Sequence, residues 1–240
     1  MWIARTGIVA SSGGASLLTN LHAVFKAESN ANDSFGTNNG TAQGGLTYST
    51  GKENNAFVFN GTNSYVYLPS NSMRFTDSFS MSCWTYTTVN QAGYRALISD
   101  YYYSGTDYGY SITIDSGNKF NLFFVGAGGV ANGIVSTATL SNNTWNHLVM
   151  TWDKANTTWK AYINGVFDSS LTAAMASTII YASGSDRTNI GTSNSSPTSG
   201  IGAGIFNGKI DEMYLWNRTL TASEVTTLYN SGTGKFYPTF

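Results

Sequence analysis

The chain has 240 residues, 12 of them basic and 13 acidic, a formal net charge of −1 and 10% charged side chains, against about 25% in an ordinary soluble domain. A neutral chain with no basic cluster cannot neutralise phosphates, which excludes a nucleic-acid binder, and no apolar run approaches the roughly 20 residues of a membrane helix. Disorder is excluded as well, because 41% of the residues are hydrophobic and 14% aromatic, enough to bury a core.

Asn, Ser, Thr and Gly occupy 109 positions, so the polar surface is built mainly from uncharged groups. Residues 1–16 end in Ser11-Ser12-Gly13-Gly14-Ala15-Ser16, a linker-like run. They read as an extended arm, and residues 17–240 as one domain. Arg5 interrupts the only apolar stretch near the start, so no secretory leader is expected there.

Strand signals then follow one another. Ala56-Phe57-Val58-Phe59 and Tyr65-Val66-Tyr67-Leu68 flank the turn-like Asn60-Gly61-Thr62-Asn63. Residues 78–86 alternate, with Phe79, Met81 and Cys83 on one face. Cys83 is the only cysteine, so no intrachain disulfide forms, and it reads as a small buried hydrophobe. Ala96–Ser99, Tyr110–Ile114, Phe120–Phe124 and Trp145–Trp152 are further strands bounded by Gly, Asn or Asp. Trp159–Ile163 runs into Asn164-Gly165 and Val166-Phe167. Asn-Gly accepts the positive φ of a type I′ turn, so a hairpin is expected here. Residues 206–216 form the last long strand.

One helix is expected near the C-terminus. Thr221-Ala222-Ser223-Glu224 is a capping box, in which Thr and Glu satisfy each other's end amides. Val225, Leu228 and Tyr229 give it an apolar face, and Gly232 can stop it. Ten or more short strands and one late helix predict an all-β fold, an antiparallel two-sheet sandwich or barrel.

Several stretches, taken in order, resemble the laminin-G-like (concanavalin A-like) jelly-roll domains. They are Val24–Lys26 with Asn30–Gly36, Ala56–Gly61 with Tyr65–Leu68, Phe79–Trp84, Trp145–Asp153, Tyr162–Gly165, and Phe206–Arg218 running into Leu220–Val225 and Leu228-Tyr229. The match spans roughly residues 18–232. It implies two antiparallel sheets with jelly-roll connections, similar to legume lectins and laminarinases. Residues 3–12 lie outside it and resemble the leaders of some bacteriophage virion proteins.

The resemblance implies a structural Ca²⁺ held by an early and a late Asp, which are Asp33 and Asp211 here. Ca²⁺ takes six to eight oxygens, and Asn30, Asn32 and Gly36 can add theirs. The alternative is an Asx-turn at Asp33 and an ordinary strand carboxylate at Asp211.

Ligand contact points to tyrosines. Tyr101, Tyr102, Tyr103 and Tyr108 crowd one turn, and four rings so placed cannot all face one core. Tyrosine suits both glycan and protein contact, giving area at low entropy cost; the alternative is a sheet edge packed by the tyrosines themselves. Catalysis is not expected. Retaining glucanases of this general fold need two carboxylates about 5 Å apart, in a Glu-x-Asp-x-x-Glu pattern this chain lacks. Asp211 and Glu212 are adjacent, so on a regular strand they point to opposite faces. His147 reads as a satisfied structural histidine, and the chain carries no nucleotide-loop, nucleophile-elbow or metal-hydrolase motif.

The expected function is therefore non-catalytic binding. The favoured form is a bacteriophage virion component, a fibre, decoration or tail-associated subunit with a lectin-like body. Residues 1–16 attach it to other virion or surface proteins, it contacts a protein or a host glycan, and it works as a symmetric homo-oligomer giving avidity. The alternative is a secreted or cell-surface bacterial module that binds carbohydrate for adhesion. A glycoside hydrolase is a third reading and predicts a carboxylate pair facing a groove.

Overall fold

The computed structural model describes residues 16–103, 106–126, 129, 131–173, 178–182, 188–193 and 204–240. Period-two alternation of apolar and small polar residues decides most of the strands. In chain order they are β1 (Leu21–Phe25), β2 (Thr41–Gln43), β3 (Thr47–Thr50), β4 (Asn55–Asn60), β5 (Tyr65–Tyr67), β6 (Phe79–Tyr86), β7 (Arg95–Ser99), β8 (Tyr102–Tyr103) and β9 (Asp107–Tyr108). Then come β10 (Tyr110–Ile114), β11 (Lys119–Val125), β12 (Ala131–Thr139), β13 (Trp145–Asp153), β14 (Thr158–Ile163), β15 (Val166–Thr172), β16 (Asn189–Ile190) and β17 (Asn207–Trp216), followed by helix α1 (Ala222–Tyr229).

Among the described residues the strands form two large sheets and one small one. The first has eight strands in the order β15-β14-β13-β6-β17-β4-β3, with β1 also on β17. The second has seven, in the order β12-β11-β10-β7-β16-β5-β2, and β8 pairs with β9 alone. The pairings between these strands are antiparallel. The two-sheet antiparallel sandwich expected from the sequence is the observed fold.

Large side chains of both sheets meet between them. Trp152 and Trp159 stack at 5.3 Å, Phe124 stacks on Trp159 at 4.8 Å, and Phe79 meets Trp159 edge-on at 5.6 Å. Cys83 is buried in this core, as expected. A second apolar cluster covers the outer face of the first sheet. There Val149, Tyr162, Tyr214 and Trp216 pack against Leu17, Val225 and Leu228. Each such side chain, fully buried, contributes about 1.5–3 kcal/mol. The second sheet has no comparable outer cluster among the described residues.

The hairpin turn is as expected: Asn164 and Gly165 both take positive φ, 51° and 78°. A Cβ at Gly165 would lie 2.7 Å from the Tyr229 ring, so α1 rests directly on this turn. Helix α1 begins with the expected capping box of Thr221 and Glu224. It ends differently, because Asn230 rather than Gly232 takes the left-handed C-cap at φ 46°. Strand β12 has no counterpart in the sequence expectations. Only Ile134 and Ser136 of its nine residues are buried, so its apolar alternation is faint.

Candidate functional site

The register of the second sheet builds a groove on its outer face. In β10 and β11, Tyr110, Ile112, Ile114, Phe120, Leu122 and Phe124 face the core. Their neighbours Ser111, Thr113, Asn121 and Phe123 therefore face outward. Cross-strand pairing arranges these in rows. Thr113 lies beside Asn121 and Asn121 beside Val135. Ser99 lies beside Ser111, Ser111 beside Phe123, and Phe123 beside Gly133.

Gly133 leaves the flank of the Phe123 ring open. A Cβ there would also lie 2.9 Å from the Leu122 carbonyl oxygen, so the glycine suits both the close pairing and the gap. Tyr94 and Val135 wall the groove and are 41% and 55% exposed. The cavity between them is about 140 Å³, and none of its lining residues is charged.

Two polar atoms on this face lack partners. Asn121 Nδ2 donates to Asp115 Oδ2 at 3.1 Å and to the Lys119 carbonyl at 2.7 Å, but Asn121 Oδ1 accepts from no donor. The Ser111 hydroxyl, also buried, has no partner. A buried polar atom without a partner costs about 1–3 kcal/mol.

The tyrosine cluster divides. Tyr101 is fully buried, which corrects the expectation that it meets a ligand. Its hydroxyl donates to Asp107 and its ring lies edge-on to Phe123 at 5.2 Å. Alternation at a short hairpin does not reveal which side the neighbouring strand will cover. Tyr102 and Tyr108 pair across β8 and β9 and are half-buried. The side chain of Tyr103 lies outside the described residues.

The two candidate calcium ligands hold N–H groups instead. Asp33 Oδ1 accepts from the amides of Val24 at 2.9 Å and of Phe35 and Gly36 at 3.0 Å. Its Oδ2 accepts from the amide and side chain of Asn38 at 3.2 and 3.1 Å. Burial opposes its charge, but the amides of Gly36, Val24, Phe35 and Asn38 outweigh burial and hold the carboxyl below its ordinary range. Asp211 Oδ2 accepts from Lys52 N at 2.8 Å and Glu53 N at 3.0 Å, and its Oδ1 from Glu212 N at 2.8 Å. Calcium needs oxygens free to face it, so Asp33 with five donors around it does not fit. Among the described residues no group of three or more His, Cys, Asp or Glu is placed to hold a metal ion.

Asp211 and Glu212 do not sit on a regular strand. The register of β17 against β6 shifts between Asp211 and Tyr214, and Glu212 takes φ 47°. Both side chains are buried. Burial raises both carboxyls, and for Glu212 the neighbouring Asp211 charge adds to it. The Tyr214 hydroxyl donates to Glu212. Neither residue lines a described cavity: the groove is lined by no carboxylate, and a second cavity by Asp77 alone. His147 is only half satisfied. Its Nε2 bonds Ser82 Oγ at 2.8 Å, Nδ1 has no partner, and burial lowers its pKa to about 3.

Several solved structures share this fold. Domain 4 of the extracellular arabinanase AbnA from Geobacillus stearothermophilus, solved with arabinotriose, is 21% identical with a TM-score of 0.68. The alignment covers 90% of this chain and 98% of that one. The binding domain of Paraclostridial Mosquitocidal Protein 1 is 20% identical with a TM-score of 0.69, covering 89% of this chain and 52% of that domain. The botulinum neurotoxin serotype G binding domain is 18% identical with a TM-score of 0.65, covering 88% and 50%. The chain thus spans about half of each toxin domain. No curated protein matches it in sequence. Residues 60–226 match the family described as the Concanavalin A-like lectin/glucanases superfamily, and the chain belongs to that superfamily.

Proposed function

We propose that the protein is a non-catalytic, lectin-like attachment protein that binds a neutral saccharide in the groove of the second sheet. One observation carries this reading: the open flank of Phe123 lines the same groove as Asn121, whose Oδ1 has no partner, and none of the lining residues is charged. An apolar surface with a few convergent polar groups is the usual make-up of a small-molecule site. A sugar ring offers both complements, C–H groups for the aromatic face and hydroxyls for the acceptors. The arabinotriose complex of the arabinanase domain, a neighbour of the same fold, supports the choice of ligand class. A lining without a carboxylate pair argues against glycoside hydrolysis, which needs two carboxyl groups about 5–9.5 Å apart.

The setting we propose is a virion, with residues 1–16 joining the body to a neighbouring protein and copies arranged symmetrically for avidity. Ile3, Ile8 and Val9 in a nearly uncharged arm support this, because such a segment gains by burial in a partner. A secreted adhesion module is the alternative. The test of the sugar reading is a glycan array followed by calorimetric titration of the best neutral oligosaccharide, with Phe123→Ala alongside. Saturable binding that weakens in the variant supports it; an array without hits overturns it. The arm is tested separately, by deleting residues 1–16 and measuring incorporation into particles. Undiminished incorporation overturns the tether.

A further inference from the structure

A second cavity lies at one end of the sandwich, where β1 and the end of β17 meet the segment leading from β5 to β6. Its volume is about 310 Å³, at the lower edge of the range for ligand pockets, roughly 300–1,000 Å³. His22, Ser72, Arg74, Phe75, Asp77 and Asn217 are among its walls.

Its imidazole is fixed. His22 Nε2 donates to the Ser72 carbonyl at 2.7 Å, and Asn217 Nδ2 donates to Nδ1 at 3.1 Å. A carbonyl can only accept, so Nε2 carries the proton and Nδ1 is the acceptor. Phe75 stands edge-on to this ring at 5.5 Å and is braced from behind by Phe79, stacked at 4.2 Å. The wall is therefore rigid and partly apolar.

Of the charged groups around the cavity, Arg74 is ion-paired and Asp77 is met by a backbone amide. Arg74 holds Asp100 through Nε at 3.2 Å and Nη2 at 3.4 Å, and lies over the Tyr181 ring at 5.2 Å. Asp77 is exposed at the rim, where its Oδ1 accepts from Ser78 N at 2.7 Å. Lys154 Nζ, nearby, donates to the Thr76 carbonyl at 2.7 Å. One group on the wall is unsatisfied: Ser72 Oγ is shielded from solvent and has no hydrogen-bond partner. The exposed Asp77 carboxylate keeps acceptor capacity for ligand hydroxyls. A ligand bearing several hydroxyls finds an imidazole edge, an amide, a carboxylate and a buried hydroxyl around a phenyl wall.

We infer that this end cavity is a second binding site, distinct from the groove, for a single neutral sugar ring. Two sites on one body give avidity toward a branched or repeating glycan without any increase in the strength of either.

The experiment is an NMR titration of the full chain with the methyl glycosides of glucose, galactose, mannose and arabinofuranose. It follows the His22 ring, the Asn217 side-chain amide and the groove residues Tyr94 and Phe123. Saturable shifts at His22 and Asn217 with at least one glycoside are expected. Ser72→Ala removes a hydroxyl without a partner, so the melting temperature is kept while the affinity at this site falls about five-fold, the effect of one hydrogen bond. Asp77→Ala, at an exposed position, weakens the same shifts and guards against a folding artefact. Absence of saturable shifts at His22 and Asn217 overturns the site, as do shifts that neither variant alters. A response confined to Tyr94 and Phe123 also overturns it, while leaving the groove reading intact.

Discussion

Tyr101 meets Phe123 edge-on, with ring centroids 5.2 Å apart and planes at 85°. One ring is fully buried and the other half-exposed in the groove, so Tyr101 supports the surface that Phe123 presents. The hydroxyl bond to Asp107 anchors the support in the β8–β9 hairpin. The two residues are therefore expected to fail in different ways. Phe123→Ala lowers saccharide affinity about tenfold, the value of a lost aromatic contact, and shifts the melting temperature little. Tyr101→Ala empties a buried site and destabilises by about 3–5 kcal/mol. Tyr101→Phe removes the Asp107 bond, about 1.5–3 kcal/mol for a bond to a charged group, and retains binding. Calorimetry and thermal melts distinguish these, and unchanged affinity in Phe123→Ala removes the groove from consideration.

Asp33 gathers the loop that follows β1, because five N–H donors converge on one carboxylate. Asp33→Ala strands them, and the expected loss is about 3 kcal/mol or more, as bonds to a charged group are worth roughly 1.5–3 kcal/mol each. The folded carboxyl lies below its ordinary value of 3.8. Its stabilisation is therefore present above that pH and is lost as the pH falls through the folded value. Chelation is expected to change nothing. Melting curves with EDTA and with added calcium check this, and a higher melting temperature in calcium contradicts the reading of Asp33 as a metal-free clip.

The sandwich was legible wherever a strand carries a strong signal. The alternation in β6 and β13, the Asn164-Gly165 turn and the Thr221–Glu224 capping box are local patterns, and each takes its expected form. The groove is legible only in part. In Phe120–Phe124, core-facing side chains at 120, 122 and 124 force Asn121 and Phe123 outward, yet with Phe at both 123 and 124 the run does not alternate cleanly. Its open floor depends on Gly133 lying opposite Phe123, and register across β11 and β12 is not written in either strand alone. The burial of Tyr101 and the bulge at Glu212 were illegible for a similar reason: both depend on what packs over them from distant parts of the chain.

His147 is enclosed by Ser82, Trp84 and Tyr229, with ring centroids 4.9 Å from Trp84 and 6.1 Å from Tyr229. Burial disfavours its charged form and lowers its pKa to about 3 from 6.5. The sign follows directly. Between pH 6.5 and 3 the unfolded chain binds a proton at this position and the folded chain does not, so stability falls as the pH is lowered through that window. Above 6.5 the residue contributes no pH dependence. His147→Gln is expected to flatten the acid limb of a plot of unfolding free energy against pH, while costing some stability at pH 7 through the lost Ser82 bond. An acid limb as steep as in the parent chain contradicts the assignment.

Asp168 ties the edges of the two sheets together. From β15 its Oδ2 accepts from Thr137 N at 2.7 Å and its Oδ1 from Ala138 N at 2.8 Å, both on β12. Edge strands expose unpaired amides that invite pairing with other chains, and here one carboxylate occupies two of them. The side chain is only partly buried, so Asp168→Ala is expected to cost about 1 kcal/mol. The sharper consequence is kinetic. The amides of Thr137 and Ala138 exchange with solvent faster in the variant, and concentrated samples associate through the freed edge. Hydrogen exchange and light scattering read these two effects, and in Asp168→Asn, whose single side-chain oxygen can hold only one of the two amides, the other is expected to exchange faster. Unchanged exchange at both amides in Asp168→Ala shows that the carboxylate is not what protects this edge.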